Sequence, residues 1–130
     1  MTSRMNAYDF GASNASGVTP PPIPTVRKPA SSPVIPILTT DLEVGVDTRG
    51  QTSVTVSLPS VAAWSAANIT GLDLVIYDMF GNASAAPITP APAVGDSFDY
   101  GTVTPTIFSN FGVLALRPDP PNKWLVRGVG

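Results

Sequence analysis

Residues 41–58 read DLEVGVDTRGQTSVTVSL. In each half the apolar residues take every second position: Leu42, Val44 and Val46 alternate with Glu43, Gly45 and Asp47, then Val54, Val56 and Leu58 alternate with Ser53, Thr55 and Ser57. Successive side chains of an extended strand point to opposite faces, so a period of two turns one apolar row to a core and one polar row to water. Between the two rows, Thr48-Arg49-Gly50-Gln51 supplies turn residues, and the runs are predicted to pair as a β-hairpin.

Working downstream, residues 72–77 form another strand-like run, and Asp78-Met79-Phe80-Gly81-Asn82 reads as the turn after it, with Gly81 free to take a positive φ. Further strands are predicted at 97–104, 106–109, 112–117 and 123–127. Pro87, Pro90 and Pro92 leave at most a short edge strand around Ile88. Residues 60–68 are the one helix candidate, with Ser60 as cap ahead of Val61, Ala62, Ala63 and Trp64. The fold class expected is all-β: a small antiparallel β-sandwich or barrel-like domain over residues 39–130.

Upstream the pattern changes. Seven of the fifteen prolines precede residue 38, at 20, 21, 22, 24, 29, 33 and 36. Each fixes φ near -65° and removes a donor, so the segment suits neither a helix nor a central strand. Residues 1–38 are expected to be an extended, Pro-rich N-terminal arm. A disordered linker has the same composition. The arm reading rests on the recurring β-branched residues Ile23, Val26, Val34, Ile35 and Ile37, with the basic pair Arg27 and Lys28, as points that can dock on a neighbour. Charge divides at the same place: residues 1–38 carry three basic residues and one acid, residues 39–130 four basic residues and eight acids. Trp64 and Trp124 are either partner anchors or core residues, and Phe108 and Phe111 carry the same two readings.

Composition narrows the chemistry. Of 130 residues only 12% are charged, well below the roughly 25% of an ordinary soluble domain, so little charge is available to cover a monomer's surface. A net charge of -2 with seven basic residues argues against nucleic acid as a ligand. With neither cysteine nor histidine, thiolate chemistry, disulfides and the commonest general base and metal ligand are missing. The remaining enzymatic route is a carboxylate pair, Asp73 with Asp78 or Asp96 with Asp99, as in glycoside hydrolysis; solvated turn carboxylates are the plainer reading. No catalytic residue, cofactor or metal is expected. The N-terminal residues lack the apolar stretch of a signal peptide and no run is long enough to span a bilayer, so a soluble protein made in a cytoplasm, without membrane contact, is expected.

The C-terminal half resembles a module that recurs in bacteriophage structural proteins, among them capsid decoration, head-fibre and tail-associated proteins. The resemblance is carried by the strand at 72–77, then Asp78-Met79-Phe80-Gly81-Asn82-Ala83, then Pro87-Ile88-Thr89, and by Ile107 to Asn110, Phe111-Gly112-Val113-Leu114-Ala115-Leu116 and the closing Trp124-Leu125-Val126. The family usually joins its last two strands by a tight Asp-Gly turn; Pro118-Asp119-Pro120-Pro121-Asn122-Lys123 stands here instead, and the hairpin is expected to open more widely. The resemblance implies a compact β module in a virion, commonly a homotrimer. The expected function is that of a non-enzymatic capsid decoration or cement protein whose partners are the major capsid protein or other virion proteins. The alternative is a tail or head-fibre component that binds a host surface.

Overall fold

A computed structural model describes residues 25–29, 32–68 and 71–130. The described residues form nine strands and one short helix in two packed sheets. The strands are β1 Thr25–Pro29, β2 Val34–Pro36, β3 Glu43–Asp47, β4 Val54–Ser57, β5 Leu74–Asp78, β6 Ile88–Ala91, β7 Ser97–Asp99, β8 Val113–Asp119 and β9 Lys123–Val129, with helix α1, Val61–Ala67, between β4 and β5. No helix among the described residues is long and apolar enough to cross a membrane.

The first six strands alternate between the sheets. One sheet runs β1-β3-β5-β8-β9-β7, the other β2-β4-β6. Each return to a sheet lays the new strand beside its predecessor in the same direction, so β1, β3 and β5 are parallel, and so are β2, β4 and β6. The antiparallel pairings are β5 with β8 and β8 with β9, while β7 lies parallel to β9. The all-β expectation therefore holds, but the antiparallel one is corrected: five of the seven pairings among the described residues are parallel.

The hairpin expected from residues 41–58 is corrected for the same reason. Val44 and Val46 on β3 face Val54 and Val56 on β4 across the core rather than along a shared ladder. Two strands with one apolar row each can bury those rows side by side or face to face. Alternation alone does not choose between the two.

Prolines fall where a missing N–H costs little. β1, with Pro29, and β2, with Pro36, are edge strands, and so is β6, with Pro90. The expected short edge strand around Ile88 is thus present. β5 ends its pairing with β8 at Leu116, so Pro118 lies where β8 has β9 alone as a neighbour. Pairing then continues to Asp119 opposite Lys123 around a three-residue loop that contains a cis Pro120-Pro121 bond. The loop is thus one residue longer than a two-residue Asp-Gly turn, a small widening of the hairpin. Residues 97–104 and 106–109 are also shorter than expected: β7 stops at Asp99, and Ile107 makes a single bridge to Ile88.

Val44, Val46, Leu74, Ile76, Leu114, Leu116 and Trp124 from the larger sheet meet Ile35, Val54, Val56 and Ile88 from the smaller one. Helix α1 closes one side with Val61 and Trp64. Its start is held twice: Ser60 Oγ accepts from the Ala63 N–H at 3.1 Å, and Asp96 Oδ2, reaching over from the β6–β7 connection, accepts from the Val61 N–H at 2.8 Å. Trp64 and Trp124 pack edge to face with ring centroids 5.8 Å apart, and the Trp64 indole N–H donates to the Asp41 carbonyl at 2.9 Å.

Candidate functional site

The residues read as partner contacts divide into distinct groups. Ile23 lies outside the described residues. Ile35 and Ile37 are buried in the core, and Trp64 and Trp124 have no exposed surface at all. These four are corrected to core residues, because side chains with at most 5% of their surface exposed present almost nothing to a partner. Val34 remains about half exposed, Val26 is half-buried on β1, and Arg27 is exposed.

Lys28 is engaged within the molecule. Its Nζ lies 3.3 Å from Oδ2 of Asp41, a buried carboxylate that also accepts from the Leu38 N–H at 2.9 Å. This contact ties β1 to the corner that leads into β3. With Ile35 and Ile37 in the core, residues 25–29 and 32–38 of the segment read as an arm are attached to both sheets.

Beside β1, Arg27, Pro29, Asp47, Arg49, Met79 and Phe80 line a shallow hollow of about 220 Å³. Arg49 stacks its guanidinium on the Phe80 ring, 3.6 Å from the centroid, and forks onto Asp47 through two 2.9 Å bonds. Hydrogen bonding from the Arg49 side chain holds the Asp47 carboxyl below its usual value, against an opposing effect of desolvation. Arg27 has no ionic partner among the described residues.

Three of the four carboxylates considered for catalysis make contacts within the fold. Asp73 pairs with Arg117 at 2.8 Å and Asp96 caps the helix, while Asp99 sits exposed on the three-residue β7. Asp73 immediately precedes β5 and Asp78 ends it, which separates them by about 16 Å at ~3.3 Å per strand residue. A glycosidase pair needs about 5 to 9.5 Å. Among the described residues no group of three or more acidic side chains is placed to hold a metal.

Asp78 organises the turn singled out in the sequence. Its Oδ2 accepts the backbone N–H groups of Asn82 at 2.7 Å, Ala83 at 2.9 Å and Phe111 at 3.0 Å. One buried oxygen thus joins the turn after β5 to the loop before β8. Asn82 extends the junction by donating from Nδ2 to Thr48, and Asn110 accepts from the Ser84 N–H. Gly81 has φ +73°, and a Cβ there would lie 2.5 Å from the Phe111 ring, so glycine is required on both counts.

Phe111 is held in an unusual state. Its φ is 60°, a left-handed conformation that costs a non-glycine residue about 1–2 kcal/mol, yet its ring is 67% exposed. The bond to Asp78 offsets part of that cost. An outward aromatic ring kept in a strained backbone conformation points to a use outside the core.

Phe111 is not isolated. It lines a concavity of about 430 Å³ with Val113, Ala115 and Val129, and a second concavity of the same size, lined by Tyr100, Val103 and Phe108, adjoins the first through Ser109, Val129 and Gly130. Val103, Phe108 and Val113 are 62%, 64% and 44% exposed. No lining residue of either concavity is Asp, Glu, Lys or Arg. Apart from Phe108 and Phe111, sequence reasoning did not single out this surface. The available signal was the uncharged run 100–116, but residues 50–72 are also uncharged and mainly build the core. The arrangement suits binding through apolar and main-chain contacts. The chain matches no protein-family model and no curated protein.

Proposed function

We propose that this protein is a structural component of a bacteriophage particle, a capsid decoration or cement protein that works by binding and not by catalysis. In this reading the β domain sits on the outside of the shell and the Pro-rich residues 1–24 run over neighbouring capsid subunits. The observation that carries it is the way the segment after residue 24 is attached. β1 is an edge strand of one sheet, β2 an edge strand of the other, Lys28 holds Asp41, and Ile35 and Ile37 enter the core. Tension on the arm would be shared by both sheets instead of peeling off one strand. Binding along an extended path adds many weak contacts, and several arms acting together raise avidity through effective concentration. The resemblance of the C-terminal half to phage structural modules supports the same reading.

The test is co-sedimentation with undecorated capsid shells, comparing the full chain with one in which residues 1–24 are replaced by a Gly/Ser linker of equal length. A deletion up to Thr39 would remove β1 and β2 with them, so it would not test the arm alone. Saturable binding by the full chain that weakens on arm replacement supports a cement protein. Absence of binding by the full chain overturns it and moves the reading to a tail or head-fibre component, tested next on host envelopes.

A further inference from the structure

We infer that the hollow beside β1 is a docking site for an acidic, extended segment of a partner protein, with Arg27 and Arg49 as the residues that take its carboxylates. The inference concerns this face of the β domain alone and does not rest on the virion reading.

Strand register builds the site. Val26 is paired with the buried Val44 and Lys28 reaches the buried Asp41, so these two side chains of β1 turn inward. Arg27 lies between them and turns to the opposite face, where its partner in register, Gly45, has no side chain to fill the space. Two residues on, Pro29 is in register with Asp47. Arg49, which follows β3, and Met79 and Phe80, which follow β5, complete the lining.

Charge and donor geometry carry the argument. Two guanidiniums and one carboxylate line the hollow and leave it cationic, on a chain whose net charge is -2. Arg27 is exposed and makes no ion pair among the described residues, and Glu43, the nearest acid along β3, is engaged by the Thr25 hydroxyl at 2.9 Å. Arg49 is already oriented: its Nε and Nη2 hold Asp47, and Phe80 lies under its guanidinium. A guanidinium carries five N–H donors, and a carboxylate takes two of them in parallel. Asp47 occupies the Nε/Nη2 side, which leaves the Nη1/Nη2 side for a second carboxylate, fixed in direction before that carboxylate arrives. Preorganised donors lose less freedom on binding.

The form of the partner follows from the edge. β1 has β3 on one side and, among the described residues, no strand on the other. Such an edge accepts an added strand through main-chain hydrogen bonds, while side-chain contacts supply specificity. Met79 and the 43% exposed Phe80 give apolar contact next to the cations, and Met, aromatic residues and Arg are the types enriched at protein interfaces. The 24 residues ahead of β1 are a poor complement, since they hold one acid, Asp9, and one base, Arg4.

The experiment is an NMR titration of the full chain, read at the arginine Nε–H signals, with a capped six-residue peptide of alternating glutamate and valine. The same peptide with lysine for glutamate, and acetate at equal carboxylate concentration, are the control probes. Saturable shifts at Arg27 and Arg49 are expected by about 5 mM acidic peptide, shrinking as salt rises. Arg27→Gln should weaken the apparent affinity about fivefold, the factor that corresponds to one exposed pair of ~1 kcal/mol. Arg49→Lys keeps the charge but loses the fork and the stacking, and should weaken it as well. Arg127→Gln, on an exposed residue of β9 outside the hollow, should leave it unchanged. Three results overturn the inference: no shift at Arg27 and Arg49, an affinity indifferent to Arg27→Gln, or equal shifts with acetate. Shifts that grow with protein concentration in the absence of peptide also overturn it, by assigning the site to a second copy. No capsid enters the titration, so its failure leaves the virion reading untouched.

Discussion

Replacing Asp78 with Ala is the most informative single perturbation of this fold. One oxygen, Asp78 Oδ2, accepts three backbone N–H groups at 2.7, 2.9 and 3.0 Å, from Asn82, Ala83 and Phe111. Hydrogen bonds to a charged group contribute about 1.5–3 kcal/mol each, which caps the loss near 4.5–9 kcal/mol. Not all of that is realised. The Phe111 loop is exposed and its N–H can turn to water, whereas Ala83 is buried and its N–H cannot. Two losses at the low end plus a small remainder give about 3–4 kcal/mol, a large share of the 5–15 kcal/mol available to a domain of this size. Asp78→Asn keeps an acceptor oxygen in place but removes the charge and puts an amide NH2 where the buried Oδ1 has no partner among the described residues, so it should cost less than Asp78→Ala without restoring full stability. The assay is urea unfolding followed by emission from Trp64 and Trp124, both buried. The urea dependence should be unchanged while the midpoint falls. If Asp78→Ala unfolds within about 1 kcal/mol of the unmodified protein, the three bonds do not hold the two loops, and the account of the turn is wrong.

Three further outcomes are expected. Gly112→Ala should destabilise by more than about 2 kcal/mol, because a Cβ there would lie 2.0 Å from the Gly130 carbonyl and 2.6 Å from Ile107; faster amide exchange at Val113 and Gly130, which bond to each other, would locate the damage. Trp64→Phe should cost about 1 kcal/mol more than Trp124→Phe in the same unfolding assay, since Trp64 loses its bond to Asp41 while the buried Trp124 indole N–H has no acceptor among the described residues. In a carboxyl NMR titration Asp47 should titrate below its usual value, and Arg49→Gln should move it back up. Because the folded value is the lower one, the pair stabilises above the ordinary carboxylate range and that contribution disappears as pH falls through the folded value. The effect on overall stability is small, as expected for a solvent-exposed pair.

Much of the fold was legible because it is local. The alternation in residues 41–58 marks two strands whose apolar rows face a core, and the structure buries Val44, Val46, Val54 and Val56 accordingly. Ser60 ahead of an alanine-rich run marks α1 and its cap. The prolines of β1, β2 and β6 belong on edges because the chemistry of a missing N–H travels with the residue. The candidate site was much less legible. By sequence Phe108 and Phe111 read more readily as core or rim than as partner contacts, and the backbone of Phe111 is set by its bond to Asp78, 33 residues away.

Sequence by itself thus determined the strands from β3 onward in outline, the edge position of β6, the helix and the absence of thiol and imidazole chemistry. Each is a property of single residues or of neighbours along the chain. Tertiary structure decided which strands are neighbours. A strand with one apolar row is equally satisfied beside its partner or across the core from it, and the choice of crossing between sheets made the pairings mostly parallel. It also decided that both tryptophans go inside, where they pack on each other, and that an uncharged aromatic surface is left outside. Those outcomes depend on which distant segments compete for the same buried volume, and no local period records that competition.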